Sequence, residues 1–286
     1  MGKVKTAEIK ESPIVFGSHD VKLKGKVLFP RDWNKDSPVP AAILCHGFGS
    51  SHRAVEPSAR IMAGQGVAAL IFDFRGHGSS EGAVDGEMVE DVVDAWSFLS
   101  QFPEVDRKRM GLIGHSLGAV SAIMAAQEVD TPWALVALAC PSEIDSQVLA
   151  DEPDNIGRWG RDNGGVIECP KKGAFPWLRG MAALACRVWM YLFRYQVRVD
   201  CKKFLAALPR MKMSKVLRKL EGCSKLFVFC EGDKVTPYDR FAFVYEAASE
   251  PKKMLVAKGG FHTTPLLPGN LRSQWTDWAV RTLTAE

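Results

Sequence analysis

The chain has 286 residues, 47% of them hydrophobic and 24% charged, with a formal net charge of +4. That balance excludes a disordered or fibrous chain and allows one large globular domain with its own core. No run of 18 uncharged apolar residues is present, and the opening MGKVKTAEIKESP lacks the apolar stretch of a secretory signal. Seven cysteines, an odd number with no C-x-x-C and no zinc-like spacing, argue against a disulfide scaffold and a metal cluster. A reducing, cytoplasmic setting is the expectation, with Cys45 and Cys230 as buried free thiols.

In chain order, Pro13 to Gly17 and Val21 to Phe29 read as a hairpin turning at Ser18-His19-Asp20. Ala41 to Cys45 is a fully apolar strand ending in His46-Gly47-Phe48-Gly49-Ser50-Ser51, and Arg53 to Gly64 follows as a helix. Val67 to Phe72 is another apolar strand, ending in DFRGHGSSEG. Met88 to Leu99 has helical spacing at Met88, Val92, Ala95 and Leu99. Met110 to Ile113 and Trp133 to Ala139 are strands, with a small-residue helix over Ala119 to Ala126 between them. After a break in the alternation from Pro141 to about Leu208, a strand at Lys225 to Cys230, a helix at Tyr238 to Ala248, a strand at Lys253 to Ala257 and a closing helix at Leu271 to Thr284 resume it. Strands apolar throughout and alternating with helices predict a mostly parallel α/β sheet covered on both faces. Such a sheet gathers its site at the carboxyl ends of the strands.

Gly114-His115-Ser116-Leu117-Gly118 fits G-x-S-x-G between a strand and a helix, which predicts a nucleophile elbow. Serine there sits at a helix N-terminus, where free N–H groups favour developing negative charge. A serine hydroxyl needs a base, and the base needs a third group to orient it. Ser116, Asp233 and His262 occur in that order, each just after a predicted strand. Glu231 and Asp239 compete with Asp233 for the acid, with Glu231 in reserve. Of the other histidines, His115 should point away from the site, His46 and His77 should make structural hydrogen bonds in their Gly-rich loops, and His19 and His52 have no strand-end acid near them in sequence. The oxyanion of acyl transfer needs two N–H donors. Leu117 supplies one by position, and Phe48 in the HGFGSS loop is the candidate for the other.

HGFGSS, DFRGHGSSEG, GHSLGA, EGDKVTP and GGFH, in this order and spacing, resemble the α/β-hydrolase superfamily. The nearest likeness is to its serine esterases of the feruloyl- or cinnamoyl-esterase and acyl-peptidase-like type. The resemblance covers about 13–141 and 209–284. It implies an α/β-hydrolase fold with an eight-stranded, mostly parallel sheet, Ser116 as nucleophile, Asp233 and His262 as its partners, and Phe48 and Leu117 as oxyanion donors. Ala119 departs from relatives that carry a third glycine there. Serine at the elbow separates the chain from dehalogenases and epoxide hydrolases, which use aspartate. No dinucleotide fingerprint or P-loop appears, so no cofactor and no metal is expected.

The expected organisation is a core over 1–141 and 209–286 with a helical lid inserted at 142–208. A helix is expected over Phe175 to Val199, with Arg187, Arg194 and Arg198 in one stripe. From Lys171 to Lys219 there are 13 Lys and Arg against one acid, Asp200, a local +12 that leaves −8 for the remainder. That charge suits an anionic carrier or membrane surface, or is a solvated face; no nucleic-acid motif accompanies it. The expected reaction is hydrolysis of a small-molecule carboxylic ester through an acyl-enzyme. Thioesterase or acyltransferase action, peptidase or amidase action on the same triad, and a non-catalytic ligand binder are the alternatives.

Overall fold

The computed structural model describes residues 9–31, 37–141, 143, 166–169 and 197–285. An eight-stranded sheet runs β1 (Ile9–Ser18), β2 (Val21–Pro30), β4 (Ala68–Phe72), β3 (Val39–Cys45), β5 (Val105–His115), β6 (Ala134–Leu138), β9 (Ser224–Cys230), β10 (Lys252–Ala257). β2 is antiparallel to both β1 and β4, and the other pairings are parallel. The expected hairpin and parallel core are therefore both present. β3, β4 and β6 are buried almost throughout, as their uninterrupted apolar runs require of strands covered on two faces.

Helices α1 (His52–Ala63) and α7 (Asn270–Thr284) cover one face of the sheet, where Met62, Trp275 and Val280 pack on Leu44, Ile71 and Val136. Helices α2 (Met88–Leu99), α3 (Leu117–Ala125), α5 (Met213–Lys219) and α6 (Tyr238–Ala247) belong to the other, whose core includes Val92, Ile123, Leu217 and Val244. Ala119 is fully buried in α3, so the methyl that replaces a third glycine is accommodated inside the core. The free cysteines among the described residues, Cys45 and Cys230 included, are all buried.

Most of 142–208, including the bulk of the expected helix, with Arg187 and Arg194, lies outside the described residues. Its end does not. Val197–Asp200 forms strand β8, paired antiparallel with β7 (Val166–Cys169), and helix α4 spans Cys201–Ala207. Arg198 therefore stands on a strand rather than on the helical stripe expected of it. Val197, Val199, Cys201 and Phe204 are buried in the same core as α2 and α3. β8 is tied to the loop after β4, with the Arg198 N–H donating to the Gly76 carbonyl at 2.7 Å and the Val84 N–H donating to the Arg198 carbonyl at 2.8 Å.

Candidate active site

Each sequence-selected residue sits at the carboxyl edge of the sheet. Ser116 follows β5, Asp233 follows β9 and His262 follows β10. Ser116 adopts φ 54° and ψ −121°, a left-handed conformation that a non-glycine residue holds only when its surroundings impose it. They do so here through hydrogen bonds on both sides. The Ser116 N–H donates to the Leu138 carbonyl on β6 at 2.9 Å, and the Ser116 carbonyl accepts from Ala119 and Val120 in α3. Gly118 lets the start of α3 press on the end of β3, since a Cβ there would lie 2.5 Å from the carbonyl oxygens of both Cys45 and His46.

His262 Nδ1 lies 2.8 Å from Asp233 Oδ2, which brings together the acid and base chosen from sequence. Asp233 is otherwise fully engaged. Its Oδ1 accepts from the N–H groups of Val235 (2.8 Å) and Thr236 (3.0 Å), and its Oδ2 accepts from the Thr236 hydroxyl at 2.6 Å. Burial acts to raise the Asp233 pKa, but the Thr236 hydrogen bonds and His262 outweigh it and hold the carboxyl below its ordinary value. An ionised Asp233 accepts a proton-bearing Nδ1, which leaves Nε2 of His262 as the free basic nitrogen. Glu231, the reserve acid, is exposed, and the side chain of Asp239 lies outside the described residues.

The HGFGSS loop is held by the two histidines expected to be structural. His46 Nδ1 donates to the Gly47 carbonyl (2.8 Å) and its Nε2 accepts from the Phe74 N–H (3.1 Å). His77 Nδ1 donates to the Arg75 carbonyl (3.1 Å) and its Nε2 accepts from the Gly49 N–H (3.0 Å). The two rings meet edge to face at 4.9 Å. Gly49 takes φ 70° in a turn closed by the Ser50 N–H on the Gly47 carbonyl, a position that suits glycine. Phe48, at the tip, stacks on Phe204 of α4 with centroids 6.2 Å apart. Leu117 opens α3, so its N–H has no acceptor within the helix.

Two contacts were not legible in the sequence. His52 does have a strand-end acid beside it in space: Asp73 Oδ1 accepts from its backbone N–H (2.7 Å) and lies 2.8 Å from its Nδ1. Burial opposes ionisation of Asp73, yet the hydrogen bonds from the His52 side chain and backbone help bring its pKa to about 2. His115 does not simply point away from the site. Its Nε2 lies 2.9 Å from the His262 carbonyl, 147 residues along the chain.

Three of these histidines are buried and neutral. Burial lowers His77 to about 3; burial lowers His115 to about 4; and burial lowers His46 as well. In the unfolded chain each imidazole takes a proton near pH 6.5. Between pH 6.5 and about 4 the unfolded state binds protons that the folded state refuses, so stability falls as pH falls. His77 and His115 are each expected to cost on the order of 1–2 kcal/mol by pH 5, and His46 acts in the same direction. Urea unfolding at pH 7, 6 and 5 measures this, and unchanged stability across that range would contradict the buried neutral assignment.

Comparison with known proteins agrees with this architecture. A sequence model of the family described as serine aminopeptidase, S33, matches residues 36–155. The thiohydrolase aneE of Aspergillus aculeatus is 38% identical over 108 residues, 36% of this chain and 34% of that protein. The polyketide transferase af380 of Aspergillus fumigatus is 32% identical over 93 residues, 30% of this chain and 32% of that protein. The matched stretch thus spans about a third of the length of these curated relatives. Among solved structures, DcsB in complex with its substrate analogue superposes with a TM-score of 0.72 at 20% identity, covering 96% of this chain and 99% of that one. Est1E from Butyrivibrio proteoclasticus, with ferulic acid bound, gives 0.63 at 18% identity over 94% and 96% of the two chains. No helix among the described residues is long and apolar enough to cross a membrane. The sheet order, the elbow and these likenesses agree, and the chain has the α/β-hydrolase fold.

Proposed function

We propose that this chain is a serine hydrolase that cleaves a carboxylic ester of a small molecule through an acyl-enzyme. The observation that carries the reading is the His262–Asp233 contact at 2.8 Å, formed at the sheet edge where Ser116 occupies its left-handed elbow. His262 Nε2 takes the Ser116 hydroxyl proton as Oγ attacks the substrate carbonyl, and Asp233 stabilises the imidazolium. The N–H groups of Phe48 and Leu117 receive the oxyanion. His262 then protonates the leaving oxygen, and a water deprotonated by His262 releases the acid from Ser116.

A thioester is the second reading, favoured by the relative whose name is thiohydrolase. A thiolate leaves without needing a full proton, so the same residues serve both substrates, and the choice rests on the leaving group's fit. The discriminating experiment measures kcat/KM for a C2 to C12 acyl series as p-nitrophenyl esters and as CoA thioesters, together with fluorophosphonate labelling of Ser116. Ester preference supports the first reading and thioester preference the second. No labelling and no turnover with either series would overturn both in favour of a non-catalytic binder.

A further inference from the structure

We propose that His115 is a positioning residue for this reaction: its Nε2–H, held on the His262 carbonyl, fixes the loop that carries the base relative to the elbow that carries Ser116. The inference rests on the hydrolase reading above.

The loop bearing His262 is soft by composition. Gly259 and Gly260 precede it at φ 71° and 82°, and Phe261 beside it is exposed. The loop is tied to the end of β9 by the Gly232 N–H on the Gly259 carbonyl and to α7 by the Trp275 Nε1–H on the Pro265 carbonyl, and the Asp233 contact holds the imidazole of His262. His115 adds a direct link between the His262 backbone and the residue before the nucleophile. It is the last residue of β5, immediately before Ser116, and its Nε2 reaches the His262 carbonyl at 2.9 Å. The two rings lie 4.9 Å apart and tilted at 51°.

A carbonyl oxygen only accepts, so the proton of a neutral His115 resides on Nε2. The other side of the ring meets the HGFGSS loop: a Cβ built on Gly47 would lie 2.9 Å from Nδ1. One buried ring therefore touches the loop of the proposed oxyanion donor, adjoins the nucleophile and bonds to the base's own backbone. Burial keeps the ring neutral, so it holds one donor in one direction and does not compete with His262 as a base. The distance from Nε2 of His262 to the serine oxygen governs proton transfer, and a misplacement of about 1 Å costs roughly a hundredfold in rate.

Two substitutions separate the hydrogen bond from simple packing. His115→Phe keeps a ring of similar shape and removes the donor. His115→Gln places an amide N–H the same number of bonds from Cα. Ser116 labelling by a fluorophosphonate, kcat and KM on an accepted ester, and the melting temperature are measured for each. The expected result is a loss of about ten- to a hundredfold in labelling rate and kcat for the Phe variant with KM within about twofold, and recovery to within about threefold of wild type in the Gln variant. Labelling of the Phe variant at the wild-type rate overturns the proposal, as does an equal loss in both variants that follows their melting temperatures. Should the Phe variant not fold, ¹⁵N NMR of histidine-labelled wild-type protein at pH 7 decides: a proton on Nε2 of His115 supports the link and a proton on Nδ1 overturns it. Wild-type protein that fluorophosphonate never labels overturns the hydrolase reading, a result distinct from labelled wild type with an indifferent Phe variant.

Discussion

Ser116→Ala is expected to lower turnover of any accepted acyl substrate by about 10³- to 10⁶-fold, with melting temperature changed by no more than a few degrees. The size of the loss follows from the proposed chemistry. Without Oγ no acyl-enzyme forms, and only binding and the oxyanion donors remain to assist direct attack by water. The small effect on stability follows from the geometry. Alanine has the same Cβ as serine, so the cost of φ 54° is unchanged, and the hydrogen bonds that impose it run through the Ser116 backbone to Leu138, Ala119 and Val120. A substitution that removes one hydroxyl from a partly buried residue in such a frame falls within about 0.5 kcal/mol of neutral. The measurement is kcat/KM on the best ester or thioester of the acyl series, beside thermal unfolding. Wild-type turnover in a variant verified by mass would remove Ser116 from the mechanism.

The sequence carried the sheet and the pairing of Asp233 with His262 because both are written in local signals. Ala41 to Cys45 and Val67 to Phe72 are apolar without interruption, and each runs into a glycine-bearing loop, so strand, end and loop were all visible together. Asp233 and His262 were placed by the same reasoning, each a short step beyond a strand. β8 and α4 gave no such signal. Four strand residues and seven helical ones are too few for a period to show, and Lys202 and Lys203 merge with the surrounding basic stretch. Their place in the core is set by tertiary contacts: the β-type hydrogen bonds of Arg198 with Gly76 and Val84, and Phe204 under Phe48. His115 and His52 were obscure for a different reason. A hydrogen bond spanning 147 residues, or an imidazole finding an acid after another strand, depends on which strands are neighbours, and no local pattern records that.

Asp233→Asn is expected to cost about 10³- to 10⁴-fold in kcat with a much smaller change in KM. Asn is nearly isosteric, and its carbonyl oxygen can occupy the Oδ1 position, where the N–H groups of Val235 and Thr236 require an acceptor. That requirement orients the amide. Its NH₂ must then take the Oδ2 position, facing His262 Nδ1 and the Thr236 hydroxyl. The hydroxyl can rotate and accept from the amide, but Nδ1 can accept only if His262 carries its proton on Nε2. The nitrogen that should receive the serine proton is then already protonated, and the loss arises from the tautomer rather than from displacement of the base. Two measurements separate these causes. ¹⁵N NMR of histidine-labelled protein should show the His262 proton moved from Nδ1 to Nε2, and fluorophosphonate labelling of Ser116 should slow in parallel with kcat. Glu231→Gln is the matched control: Glu231 is exposed, and neutralising it should leave kcat within about twofold. A full loss in the Glu231 variant with an active Asp233 variant would transfer the role of acid to Glu231. Both variants active would mean that His262 works without a carboxylate, and the proposed triad would not stand.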